Sequence, residues 1–518
     1  MNNTNRNTTM TEHGDKAMAG LPYLYRSKGL PSEVYEIRLN SEIDEAALNL
    51  SIADTIDRYP YFGVMFQERD GDFYAVKNPL PLKAICTDGF IPLGGHSNQN
   101  HLMGVTFWEN TLKLSFHHGL TDGRGAKAFL ETLVQYYADY ISAGHNQEEI
   151  TSVKERHDAL AAEFSEEEYA DPCAVKHALD GNGGKVEGLA RKGYKLPEST
   201  SKSEHRRYEI RFSQDAFMNA CRAIGASPII YLSILMSRGI KTADPACDKP
   251  VVSNFPMDAR AILGYEKTFK NCVKSMSLPY GEEEAALSDT ELAAKYKALL
   301  QAQKNHDHCA KEFNNIHMLL EVISHFHSFA SRQKLLGFME DLSLDTYLIS
   351  YIGQFQMPRE LVREVHLYSN CSSGLVLNMT CQSEAFVIDL TQDFESEKYV
   401  NTLKEQFDRI GVPVTVSDEI LFETPYDELK EIITSPATTG EQVKGFLGKI
   451  AEAAKASTEA AKERAEAAKA MGTMVNGPKI TALYYCIETG TMKEFDPTKT
   501  TLDDLRKLAV NTPSIFIS

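Results

Sequence analysis

The stretch LSFHHGLTDGRG, residues 114–125, sets two imidazoles, a carboxylate and three glycines within twelve positions. An imidazole with an unperturbed pKa of about 6.5 is suited to general-base work near neutrality. It can take a proton from a hydroxyl, thiol or amine as that group attacks an ester or thioester carbonyl. No serine or cysteine stands in a GxSxG-type elbow, so direct attack by an acceptor is favoured over a covalent acyl-enzyme.

The elements around the histidines decide which of them is placed for this chemistry. MGVTFWENTLKLSF, residues 103–116, reads as a hairpin turning at Glu109-Asn110. On its second strand Leu112, Leu114 and Phe116 share one face, and His118 continues that inward row if the strand persists. His117 falls on the other face with Lys113 and Ser115. Gly119 and Gly123 admit backbone conformations closed to other residues, so a compact turn can hold the imidazole. The turn feeds AKAFLETLVQYYADYISAG, a helix with Phe129, Leu130, Leu133, Val134, Tyr137 and Ile141 on one face. Spacing alone assigns Asp122 no role.

Other histidines invite a metal reading. HDHC groups His306, His308 and Cys309, and SHFHS groups His325 and His327. Positions two apart lie on nearly opposite faces of a helix, so neither set chelates well, and no metal is assigned. DGNGGK lacks the GxxxxGK[ST] spacing of a phosphate loop and reads as a flexible loop.

A chain of 518 residues has room for about three domains. A formal net charge of −18 argues against nucleic acid, whose phosphates need a basic surface. No apolar run is long enough to span a membrane, and the first twenty residues lack a signal-peptide core. Nine scattered cysteines without a CxxC pair fit reduced thiols, and the expected compartment is the cytoplasm.

VYEIRLNSEIDEAALNLSIADTIDRYP and RYEIRFSQDAFMNACRAIGASP share YEIR and the same switch from strand to helix, suggesting two similarly built halves. The expected organisation is a disordered 1–20, a first half at 21–170 and a connecting segment at 171–205. A second half follows at 206–435, and then a tail at 436–518. SDTELAAKYKALLQAQ opens with a capping box, Ser288 to Glu291. TYLISYIGQF, VHLYSN, GLVLNMTCQ and AFVIDLTQDF read as strands. The tail combines an Ala-rich helix with a small α+β module, read as a surface for a protein partner or self-association.

HHGLTDG is similar to the HHxxxDG signature of the chloramphenicol-acetyltransferase-like superfamily, which includes condensation domains and alcohol acetyltransferases. Residues 20–430 carry the resemblance, closest to standalone alcohol-acetyltransferase-like members through the helix ending in RYPYF. SNFPMDAR resembles the family strand and loop ending in an arginine, here Arg260. TFKNCV resembles a loop usually written Gly-Asn, with Lys270 in the glycine position and Asn271 kept. ISYIG resembles a strand often written SNxG, with Ser350 kept and Tyr351 replacing asparagine.

The resemblance implies a mixed α/β fold of two halves in a V, with a channel between them. It implies His118 as the base, His117 and Gly123 in support, and Asp122 paired with Arg260. Asn271 and Ser350 would line the substrate channel. The donor would be acyl-CoA as a co-substrate, with no bound cofactor, and the acceptor a small alcohol. A freestanding condensation enzyme with a carrier-bound donor and an amine or hydroxyl acceptor is the alternative; no adenylation segment or carrier-type serine motif supports it. A non-catalytic binding module is the reading from a different class. The DFGWG signature of plant members is absent.

Overall fold

The computed structural model describes residues 14–424 apart from 27–31, 70–71, 162–164, 182, 184–185, 191, 201–203, 327–328, 341–344 and 370–373. It also describes two strands at 483–486 and 491–494. The strands of the first half are β1 (Asp15–Lys16), β2 (Ser32–Leu39), β3 (Val64–Arg69), β4 (Asp72–Lys77), β5 (Ala84–Cys86), β6 (Met103–Trp108) and β7 (Thr111–His117). Next come β8 (Arg206–Ser213), β9 (Val251–Asp258), β10 (Val273–Tyr280), β11 (Tyr347–Gln354) and β12 (Val362–Tyr368). The last are β13 (Leu375–Gln382), β14 (Ala385–Gln392), β15 (Val414–Val416), β16 (Ile420–Leu421), β17 (Leu483–Cys486) and β18 (Thr491–Glu494).

Two sheets carry the molecule. One has five strands in the order β12-β2-β7-β6-β5; the other runs β10-β9-β11-β13-β14-β8-β15, with β16 also on β8. A smaller sheet of β1, β4 and β3 stands apart from both. The fold is mixed α/β with a core on each large sheet, as the sequence suggested. One strand departs from the expected division. β12 pairs antiparallel with β2, so a strand from the second half of the sequence closes the edge of the first sheet.

The two YEIR strands explain how the lobes meet. Tyr35 and Ile37 of β2 face one core, and Tyr208 and Ile210 of β8 face the other. The two-residue period therefore turns Glu36 and Arg38, and Arg207 and Glu209, towards the boundary. There Arg38 Nη1 donates to Glu209 Oε2 at 2.9 Å, and Arg207 Nη2 lies 3.5 Å from Glu36 Oε2. Burial works against the charge on Glu36, yet Arg207 and Arg38 outweigh it and hold the carboxyl down to about 2. Such a network adds little net stability.

Helix ends follow their capping residues. Asp44 accepts from Ala47 N at the start of Glu45–Arg58, and Ser213 does the same for Gln214–Ile224. Ser288 and Glu291 make both bonds of the expected capping box. Gly225 closes the helix Gln214–Ile224 in the left-handed conformation, which glycine adopts without a Cβ clash.

The expected disorder of residues 1–20 is corrected from Gly14 onward. β1 pairs with β4, Ala17 and Ala19 are buried, and Ala19 N donates to Asp171 Oδ2 at 3.1 Å. Small residues let this segment lie close against the core, a packing that polarity alone does not reveal. Residues 1–13 lie outside the described residues, as does the Ala-rich helix expected in the tail. Of the tail, two strands are described, β17 paired antiparallel with β18. Among the described residues no single helix is long and apolar enough to cross a membrane. The bent pair Gln214–Ile224 and Pro228–Ala243 passes that test by composition, but it breaks at 84° and Pro228–Ala243 is largely buried in the second core.

Candidate active site

β7 ends at His117, one residue short of His118. The chain then turns, and Asp122 caps the long helix Gly123–Ala143 by accepting from Gly125 N at 2.9 Å. The turn is held by a loop from the second half. Thr121 Oγ1 donates to Phe269 O at 2.6 Å, and Cys272 N donates to Asp122 Oδ2 at 3.0 Å. Asn271 Nδ2 donates to His118 O at 2.8 Å.

This last bond sets the state of the catalytic candidate. With its Nδ2 committed as donor, Asn271 presents Oδ1 to His118 Nδ1 at 2.9 Å. An amide oxygen only accepts, so Nδ1 carries the proton and the lone pair sits on Nε2. Tyr23 stacks flat on the imidazole, centroids 3.8 Å apart and planes 7° apart, and fixes its plane. Gly20 allows this stack: a Cβ there would lie 2.0 Å from Gly119 O, a backbone atom that cannot yield. Burial, reinforced by the positive charge of Arg26, lowers the His118 pKa to about 4, so the ring rests neutral.

His118 lines a cavity of about 130 Å³ between the lobes. Arg26, Glu33 and Gly123 come from the first half, and Asp258, Ser350 and Asn378 are among those from the second. Glu33 Oε1 lies 3.6 Å from His118 Nε2. Burial first, and then the negative charge of Asp122, push the Glu33 carboxyl up to about 7. Ser350 on β11 and Asn378 on β13 are register partners in adjacent parallel strands, so both reach the cavity side by side. Asn378 Nδ2 is buried with no hydrogen-bond partner.

Asp122 and Arg260 meet across the two halves. Arg260 Nη2 donates to both carboxylate oxygens at 2.9 Å, Nε donates to Thr268 O at 2.8 Å, and Nη2 also donates to Lys270 O at 2.9 Å. Burial disfavours the guanidinium charge, but Asp122 outweighs it and raises the Arg260 pKa. The aspartate is turned to this cation and not to His118, so it is not the third member of a triad.

Several expectations change in detail. His117 is fully buried and does not line the cavity; its Nδ1 accepts from Gly119 N at 2.9 Å and shapes the turn. Gly119 and Gly123 do not have positive φ, so what they provide is space. A Cβ on Gly123 would sit 2.7 Å from Ile352 Cδ1. Asn271 does not line this cavity; it holds His118 through Nδ1 and the backbone carbonyl. Lys270, in the family's glycine position, reaches Asp171 Oδ2 at 3.6 Å and ties the loop to the connecting segment. Tyr351 lines the cavity where the family pattern has asparagine.

Glu33, Tyr23, Arg26 and Asn378 were missed. For Glu33 a signal was present: it heads the row Glu33, Tyr35, Ile37 on the face of β2 that is otherwise apolar. Nothing local marks the other three. His306 begins the helix His306–Ser324 with its Nδ1 3.2 Å from Asp180 Oδ2. Asp180, His306 and Asp307 bring potential ligand atoms together, but both Asp307 oxygens already accept backbone N–H groups, from Asp180 and Gly183.

No protein-family model matches the chain, and no curated protein matches its sequence. Among solved structures it is similar in overall form to TRI101 of F. graminearum complexed with coenzyme A and T-2 mycotoxin. That likeness has a TM-score of 0.49 and 12% identity, over 77% of this chain and 98% of the other. Polyketide synthase associated protein 5 from Mycobacterium tuberculosis is similar at a TM-score of 0.48 and 13% identity, over 75% and 94%. The starter condensation domain of rhizomide synthetase follows at 0.47 and 13%, over 77% and 93%. These are likenesses of form.

Proposed function

We propose that this protein is an acyltransferase that moves an acyl group from an acyl-CoA thioester to the hydroxyl of a small alcohol, with His118 as general base. The observation that carries the reading is the neutral His118, its Nδ1–H held by Asn271 and its Nε2 at a cavity between the lobes. The acceptor hydroxyl gives its proton to Nε2 as its oxygen attacks the thioester carbonyl carbon. When the tetrahedral intermediate collapses, the C–S bond breaks and the imidazolium returns the proton to the thiolate sulfur. Ser350 and Asn378 supply hydrogen-bond donors from the opposite sheet for polar atoms of the bound substrates. Residues 436–518 take no step in this chemistry.

The test is thiol release from a panel of acyl-CoAs with alcohol acceptors, for wild type and His118→Ala. The variant is expected to fold normally and to lose about a hundredfold or more in rate, the span for removing a general base. Equal rates in the two proteins would overturn the assignment.

A further inference from the structure

We propose that Glu33 is the positioning carboxylate of His118: as an anion it stabilises the imidazolium that forms when His118 takes the acceptor's proton. The inference rests on the acyltransfer reading above and adds to it a residue that the histidine motif does not contain. Three observations carry it.

The carboxylate within the motif is already committed. Asp122 takes bonds from Arg260, Cys272 N and Gly125 N and has no capacity left for the imidazole. The Nδ1 edge of His118 is committed as well, to a neutral amide that cannot balance a positive charge. On the remaining edge stands Glu33, at the head of β2, with Oε1 3.6 Å from Nε2 and its side chain lining the same cavity.

At 3.6 Å the contact is too long for a hydrogen bond, which leaves the Nε2 lone pair open to the acceptor. It is short enough for electrostatic attraction once the ring is charged, because His118 is buried and Glu33 is only partly exposed to screening water. Other charged and titratable groups bear on the two. Arg26 lines the cavity beside them, Asp122 is paired with Arg260 yet its charge still bears on Glu33, and Arg124 faces Asp258 at 3.6 Å. Tyr35 donates its hydroxyl to Gly123 O, and Tyr23 covers the imidazole face.

The two groups titrate in separate ranges. Burial raises the Glu33 pKa to about 7 and lowers that of His118 to about 4. Above pH 7 the pair is carboxylate and neutral imidazole, ready to receive a proton. Below pH 7 Glu33 is protonated, and its O–H faces the lone pair that the acceptor needs. The proton passes from the acceptor to Nε2 and on to the leaving sulfur.

The experiment is the pH dependence of kcat/KM for thiol release by wild type, Glu33→Gln and Glu33→Asp, with melting curves for each. Wild type should show an ascending limb near pH 7. Glu33→Gln should lose about ten- to a hundredfold, since an opposite charge at this range shifts a pKa by about one to three units. Its KM for the acyl donor should be little changed, and its limb near pH 7 should be gone. Glu33→Asp should keep that limb and part of the rate, which also covers failure of the glutamine variant to fold. A glutamine variant with wild-type kcat/KM overturns the proposal, and so does a slow one that keeps the limb. An active His118→Ala would instead remove the general-base reading on which the proposal stands.

Discussion

Replacing one partner of the Asp122–Arg260 pair should destabilise the protein far more than its surface would suggest. The side chains are 1% and 5% exposed, and the carboxylate accepts Arg260 Nη2 on both oxygens, Cys272 N on one and Gly125 N on the other. Asp122→Asn keeps a single oxygen, which can serve the helix cap or the Cys272 amide but not both. It also leaves the guanidinium with Asp258, 3.0 Å from Nη1 and 30% exposed, as its remaining carboxylate partner. Removing one member of a buried pair costs about 3–5 kcal/mol when the other charge stays buried alone, so Asp258 puts the Asp122→Asn loss at the lower end of that span. Arg260→Met strands the Asp122 carboxylate, although Cys272 N and Gly125 N still serve it. The double variant has no stranded charge, so its loss should fall well below the sum of the singles, by about 1–3 kcal/mol of coupling. Denaturant melts of wild type, both singles and the double measure this cycle. Additivity within about 0.5 kcal/mol would refute the argument that the pair joins the lobes through charge. An Asp122→Asn protein of unchanged stability with lost turnover would show instead that the carboxylate acts in the chemistry.

Two further outcomes follow from the cavity. Asn271→Leu removes the acceptor that fixes the His118 tautomer, so kcat should fall about tenfold or more with little change in KM; Asn271→Asp, which keeps an oxygen there, should retain more activity, and steady-state kinetics of both separates orientation from packing. Asn378→Leu removes a buried donor with no partner, and an unmade bond of this kind costs about 1–3 kcal/mol, so stability in denaturant should hold or rise while transfer falls. A destabilised Asn378→Leu with normal transfer would show that the amide serves the fold and not the substrate.

What could be read from the chain was what depends on neighbours in sequence. The hairpin turning at Glu109 and Asn110, the capping box at Ser288 and the period-two faces of β2 and β8 are set by residues within a few positions of one another. The histidine motif belongs with these, because it is a pattern of residue types at fixed spacing. Bonds between distant segments left no such trace. Asn271 lies 153 positions from His118, and only folding makes it the group that selects the basic nitrogen.

The sequence by itself determined that the fold mixes strands and helices, and it marked His118 as the candidate base by residue type and spacing. The tertiary structure decided the partners: β12 closing the first sheet, Arg260 meeting Asp122 across the lobes, Glu33 at the open edge of the imidazole. The physical reason is range. Side-chain period, turn preference and capping act over one or two turns of chain, whereas desolvation and charge pairing depend on what lies within a few ångströms in space.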